Sequence, residues 1–205
     1  MYNLQKNNYH RNPKSSTIQT PPAVSQFIFE LLRDKVDKEK TLFIFDPCSG
    51  TGNLLKPWKE AGYETLANDL DTSLWIQDLT DYNLDFLHSW EKPVHPKLNA
   101  SWLVLCNPPF NGYGHKLGNE VWLDKIIELF GKEVPIVLFA PVGFCANLTL
   151  ESKRYEKFDN GTYPPISSII TLPKNIFEGV IFHSEILIFN IKGLKSHYFL
   201  PKNHE

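Results

Sequence analysis

Two short runs in this chain combine residue types that can do chemistry. Phe45-Asp46-Pro47-Cys48-Ser49-Gly50-Thr51-Gly52-Asn53 comes first, and Leu105-Cys106-Asn107-Pro108-Pro109-Phe110 follows further along. Each closes an apolar run. In the second, Asn107 offers a side-chain carbonyl and Pro108 a main-chain carbonyl, both acceptors only at those atoms. Two acceptors on one NH₂ group can turn its lone pair toward an electrophile and stabilise the positive charge that develops during attack. Pro108 and Pro109 fix φ and so hold the two carbonyls convergent. Phe110 can stack on a planar base, a contact worth roughly 1–3 kcal/mol. No strong general base is needed, because the alkylated ammonium product is acidic and loses its proton to water. Positioning and electrostatics would supply most of the acceleration. The plain alternative is a turn after a buried strand, since Asn-Pro commonly starts turns.

The first run suits close approach of backbone to a ligand. Ser49-Gly50-Thr51-Gly52 is small throughout, so the chain can turn sharply from a strand into a helix. The loop amides and the N-terminus of the following helix are expected to receive an anionic group such as a carboxylate. Asp46 closes the strand and can accept a hydrogen bond from an ammonium group, while Pro47 stiffens the turn. The next apolar run ends Ala67-Asn68-Asp69-Leu70-Asp71. An acid at that strand end can accept both hydroxyls of a ribose, the logic of dinucleotide folds. Asp69 is assigned this role and Asp71 that of capping the next turn, with two solvated turn acids as the alternative. In Gln77-Asp78-Leu79 the Asp78 carboxylate can accept from the exocyclic amine of an adenine, and Asp81 is read as a helix N-cap. Acids around a glycine loop suit an adenosine-containing cofactor without separating NAD from S-adenosylmethionine. The run 107–110 makes that separation, in favour of S-adenosylmethionine.

Positioning these residues calls for alternating strands and helices. Thr20-Pro21-Pro22 starts a helix, proline being suited to the first turn, and Val24, Phe27, Ile28, Leu31 and Leu32 recur at helical spacing. Residues 41–45 read as a buried parallel strand, 54–61 as a helix closed at Gly62, 63–68 as a second strand and 74–77 as a short third. A helix is expected around 81–90, a strand at 102–106, an amphipathic helix at 120–130, a strand at 135–140 and a helix at 144–157. The runs 166–172 and 184–191, joined without a long helix, predict an antiparallel hairpin at a sheet edge. Repeated strand–helix units define an α/β, doubly wound, mostly parallel sheet with helices on both faces. Ligands in such sheets bind beyond the carboxyl ends of the strands, where both runs lie.

Composition sets the bounds. A chain of 205 residues that is 42% hydrophobic can bury one full core and is too short for two sizeable domains. No apolar run approaches the roughly 20 residues that span a bilayer, and the N-terminus lacks the apolar core of a secretory signal. Cys48, Cys106 and Cys145 form an odd set without metal-ligand spacing, which fits a reducing cytoplasm and no metal. A formal net charge of −2 predicts weak unaided affinity for a phosphate backbone.

The ordered set of motifs resembles the N6-adenine DNA methyltransferases, above all the modification subunits of type I restriction–modification systems and phage-type adenine methyltransferases. Those proteins carry Thr-Pro opening a helix, then Asp-Pro-x-Cys-Gly-Thr-Gly, then Asn-Pro-Pro-Phe. Here these are Thr20-Pro21, Asp46-Pro47-Cys48-Ser49-Gly50-Thr51-Gly52 and Asn107-Pro108-Pro109-Phe110, with the cysteine one place early and the glycines in position. Leu172-Pro173-Lys174-Asn175-Ile176-Phe177, followed by residues 185–191, is similar to the family's late hairpin, so the resemblance spans residues 17–191. It implies a Rossmann-like class I methyltransferase fold with a seven-stranded sheet, S-adenosylmethionine as cofactor, and flipping of the target base. The implied reaction is methyl transfer to the exocyclic N6 amine of adenine in DNA. Carried over by position, Thr20 and Pro21 would contact the methionine end of the cofactor. Asp46, Pro47, Gly50 and Gly52 would form its loop, Asp69 would bind the ribose and Asp78 the adenine. Asn107, Pro108, Pro109 and Phe110 would hold the target. Phe177 is a candidate for the other side of the base pocket, with a core aromatic as the alternative.

Beside the shifted cysteine, the resemblance departs in a second and more serious respect. The sequence leaves no room for a target recognition domain between residues 78 and 107, and only a short tail follows the last strand. Residues 17–205 are therefore expected to form a single methyltransferase domain preceded by a flexible arm, 1–16. Specificity would come from a specificity subunit or dimer mate, and Lys6, His10, Arg11 and Lys14 of the arm are the intrinsic candidates for nucleic-acid contact. Methylation of RNA adenine or of a protein glutamine amide uses the same clamp and stays open. So does a non-catalytic methyltransferase-fold subunit, against which the intact clamp argues.

Overall fold

The computed structural model describes residues 18–36, 41–71, 73, 81–91, 101–110 and 118–202. In chain order these hold helix α1 (Pro22–Leu32), strand β1 (Thr41–Asp46), helix α2 (Lys56–Glu60), strands β2 (Thr65–Ala67) and β3 (Ser101–Cys106), and helix α3 (Gly118–Phe130). Strand β4 (Ile136–Pro141), helices α4 (Gly143–Ala146) and α5 (Lys153–Asp159), and strands β5 (Ile166–Thr171), β6 (Ser184–Phe189) and β7 (His197–Phe199) complete them. The strands form one seven-stranded sheet in the order β2-β1-β3-β4-β6-β5-β7. Strands β2, β1, β3 and β4 run parallel, whereas β6 is antiparallel to both β4 and β5.

Uninterrupted apolar runs mark the middle of the sheet. Residues of β3, β4 and β6 are buried almost without alternation because both faces are covered. On one face Ile44, Leu103, Leu105, Val137, Ile186 and Ile188 pack against Val24, Ile28 and Leu32 of α1 and Trp58 of α2. On the other, Phe45, Val104, Ile136, Leu138 and Leu187 meet Trp122, Leu123 and Ile126 of α3. Successive strand residues therefore feed opposite cores, as the two-residue repeat of a strand requires. Helix α1 begins at Pro22 with Pro21 as its N-cap residue, and its Phe29 meets Trp58 edge-on at 5.1 Å. Among the described residues no helix is long and apolar enough to cross a membrane.

The structure corrects several expected elements. Residues 81–90 form turns instead of a helix. Asp85 is the reason: its carboxylate takes the Leu87 and His88 amides and the His88 ring, a local network that competes with helical bonding. Asp81 is thus no helix cap. Its side chain accepts from the Ala67 amide at 2.7 Å and closes the end of β2. The expected helix at 144–157 is split into α4 and α5, because Ser152 breaks it by accepting from Tyr155 N and so capping α5. The late hairpin is antiparallel, but it is not the edge: β7, drawn from the short tail, pairs parallel with β5 outside it. The strand expected at 74–77, Asp78 and the arm 1–16 lie outside the described residues.

Candidate active site

Because β1 pairs in parallel with both β2 and β3, their carboxyl ends open on one edge of the sheet. A cavity of about 460 Å³ lies there. Of the residues singled out in the sequence, Thr20, Asp46, Pro47, Gly50, Asp69, Asn107, Pro108, Pro109, Phe110 and Phe177 all line it. Gly52 and Pro21 do not; they support it through the loop turn and the N-cap of α1.

The glycine loop turns as its composition demands. Gly50 and Gly52 have φ of +52° and +71°, where a side chain is strained. A Cβ at Gly50 would also collide with the Gln19 side chain. The loop amides have partners within the protein. Gly50 N donates to Asp69 Oδ2 at 2.7 Å, Thr51 N to Gln19 Oε1 at 2.9 Å, and Gly52 N to Ser49 O at 2.7 Å. Nor does the loop lead directly into a helix, since α2 starts only at Lys56. The loop is a scaffold whose donors are used internally.

The acids divide by environment. Asp46 is 1% exposed, and its Oδ1 accepts from Cys48 N at 3.0 Å. Burial pushes its pKa up to about 8, with the nearby charge of Asp69 adding to the rise. A cation brought beside this carboxyl would favour its ionised form and lower that value. Asp69 accepts from Gly50 N with one oxygen and from Asp71 N with the other, and each oxygen keeps a lone pair for a further donor. Asp71 is a turn cap, as expected: it binds Ser73 N and Ser73 Oγ, which lower its pKa. Leu70 and Leu84, 61% and 39% exposed, stand at the cavity as apolar walls that a planar ring would cover.

The Asp46 shift has a checkable sign. In the folded protein the carboxyl keeps its proton up to about pH 8, whereas in the unfolded chain it releases it near 3.8, the ordinary aspartate value. The folded state therefore binds the extra proton between these limits, and stability falls as pH rises through them. Asp46→Asn is expected to remove that loss, so its melting temperature should exceed the wild type's by a margin that widens from pH 5 to pH 8. Melts with a pH-independent margin would refute the assignment.

The Asn107 side chain has a partner distant in sequence. Asn107 Nδ2 donates to Thr20 Oγ1 at 2.9 Å, and among the described residues nothing donates to the Asn107 or Pro108 carbonyl oxygens. Phe110 packs on Phe182 at 5.4 Å, and Phe177 on Phe139 at 6.4 Å. Phe177 thus belongs to the core and also borders the cavity. Cys48 and Cys106 bring their sulfurs within 3.8 Å, and burial pushes both thiols up, so both stay neutral. Among the described residues no group of His, Cys, Asp and Glu could hold a metal.

Sequence reasoning missed Gln19, Asn68 and Phe182. Asn68 is 1% exposed; its amide nitrogen donates to Pro47 O and Leu84 O, and its oxygen accepts from Leu84 N. It ties β2, the glycine loop and the 84–88 turn together. The signal was an amide at the end of an apolar strand beside the assigned acid.

No family model and no curated protein matches the sequence. Solved structures do. A Streptococcus thermophilus type I restriction–modification methyltransferase subunit superposes with a TM-score of 0.64 at 18% identity, over 91% of this chain and 47% of that one. A Listeria monocytogenes protein assigned to the class I S-adenosylmethionine-dependent methyltransferases gives 0.62 at 19%, over 88% and 64%. A Pyrococcus horikoshii protein assigned as an RNA methyltransferase gives 0.57 at 17%, over 85% and 86%. The chain has the class I methyltransferase fold. It spans about half the length of the type I subunit and 64% of the Listeria protein.

Proposed function

We propose that the protein is an S-adenosylmethionine-dependent methyltransferase acting on the exocyclic N6 amine of adenine in DNA. The observation that carries this reading is the Asn107 amide, its nitrogen held by Thr20 and its carbonyl unpartnered among the described residues, in the same cavity as Asp46 and Asp69. The cofactor fits the donor set: Asp46 is a buried carboxyl suited to a cation, which an α-ammonium group provides. When bound, it supplies an electrophilic methyl group on a sulfonium. Asp46 holds the ammonium, Asp69 the ribose hydroxyls and Asp78 the adenine amine, while Pro47, Gly50 and Gly52 shape the loop and Thr20 and Pro21 the methionine end. The carbonyls of Asn107 and Pro108 accept the two N–H groups of the target amine and turn its lone pair out of the ring plane. They then stabilise the positive charge gained by nitrogen, whose surplus proton leaves to water. Phe110, held by Pro109 and backed by Phe182, offers the stacking face for the extruded base.

In this reading residues 17–205 form one catalytic domain, and a specificity subunit or dimer mate supplies sequence readout. A net charge of −2, which leaves little unaided affinity for a phosphate backbone, supports that division. Methylation of RNA adenine is the second reading, favoured by a match covering 86% of the Pyrococcus protein. Incubation with methyl-tritiated S-adenosylmethionine and separate DNA, RNA and protein pools tests the choice. Label is expected in DNA; label confined to RNA or protein would reject DNA as the substrate.

A further inference from the structure

Thr20 reaches the target side of the cavity from a segment tied down on several sides. Its carbonyl accepts from Asn53 Nδ2 at 2.7 Å, and the neighbouring Gln19 Oε1 accepts from both Thr51 N and Thr51 Oγ1. Pro21 fixes φ at −62° directly after it, and its carbonyl takes the Val24 amide of α1. Thr20 itself is 6% exposed, so its hydroxyl has few places to go. From this frame Oγ1 receives Asn107 Nδ2 at 2.9 Å, across 87 positions of sequence.

The consequence lies in the chemistry of an amide. Its two ends have nearly the same shape but opposite polarity, one accepting and the other donating. With the nitrogen inward, Asn107 would present hydrogens to an incoming amine and repel it. With the nitrogen on Thr20, the carbonyl is left for the cavity. We propose that Thr20 is a positioning residue for Asn107: its hydroxyl holds the amide nitrogen so that the carbonyl faces the target amine. This rests on the reading of Asn107 as the amine clamp. It gives Thr20 a duty toward the target, where the family resemblance implies only contact with the cofactor.

Thr20→Val keeps the shape and removes the acceptor; Thr20→Ser keeps the acceptor. Under the proposal, Thr20→Val lowers kcat about tenfold, the loss of one buried hydrogen bond, with the calorimetric Kd for S-adenosylmethionine changed less than about twofold. Thr20→Ser restores kcat, and Thr20→Val adds nothing to the loss in Asn107→Ala. A Thr20→Val variant that weakens cofactor binding while kcat holds would overturn the proposal and leave Thr20 a cofactor contact. A second arm needs no turnover. The Asn107 side-chain amide signal, identified by its absence in Asn107→Ala, is followed by ¹⁵N NMR without substrate. It should shift and broaden in Thr20→Val and persist in Thr20→Ser; an unchanged signal in Thr20→Val overturns the proposal. Absence of methyl transfer by the wild type would instead overturn the methyltransferase reading, with the NMR arm still deciding the contact.

Discussion

Asn107→Ala is expected to bind S-adenosylmethionine with wild-type affinity and to transfer methyl groups about a hundredfold to a thousandfold more slowly. The asymmetry follows from where the side chain acts. Among the described residues its amide hydrogen-bonds to Thr20 and to none of the glycine loop, and the residue lines the cavity. The cofactor contacts proposed for Asp46 and Asp69 are therefore expected to stay intact. What disappears is an acceptor whose interaction strengthens only as nitrogen becomes positive, and removal of one such preorganised dipole typically lowers kcat by 10²–10³. Calorimetry and single-turnover kinetics on an accepted substrate separate the two effects. Normal turnover by the variant would remove Asn107 from the reaction.

The second large effect is expected at Asp69. This carboxylate holds the glycine loop through Gly50 N and the following turn through Asp71 N, and it keeps lone pairs toward the cavity. Asp69→Ala loses the loop anchor and, with it, the acceptor proposed for the ribose hydroxyls. Hydrogen bonds to a charged group are each worth about 1.5–3 kcal/mol, so two of them lost should weaken cofactor affinity about a hundredfold or more. Asp71→Ala serves as the control. Its carboxylate is spent on Ser73, so the variant should bind cofactor normally. A comparable loss in both variants, measured by calorimetry, would contradict the division of roles between the two acids.

Much of the site was legible because its signals are local. The glycine loop shows itself through positions that need positive φ, Gly50 and Gly52, and through the aspartate that ends an apolar run just before it. Strands β3 and β4 show themselves as apolar runs buried on both faces. What escaped notice depends on partners distant in sequence. Gln19 and Asn68 are ordinary polar residues until folding brings Thr51 and Leu84 to them. Asp81 carries the type of a helix cap, yet the Ala67 amide claims its side chain, and Asp85 organises the following residues into a turn. Strand β7 is only His197–Phe199, too short for periodicity to declare. The packing of Phe110 on Phe182 joins two aromatics too far apart in sequence for any local pattern to declare.

The central claim is that this cavity delivers a methyl group to an exocyclic adenine amine. The direct measurement uses S-adenosylmethionine carrying a trideuterated methyl group, unmethylated DNA and the purified protein, with nucleosides resolved by mass spectrometry after digestion. The account predicts N6-trideuteromethyl-deoxyadenosine with wild-type protein and at least a hundredfold less with Asn107→Ala. Label on cytosine, or none on any nucleoside while calorimetry shows bound cofactor, would contradict it.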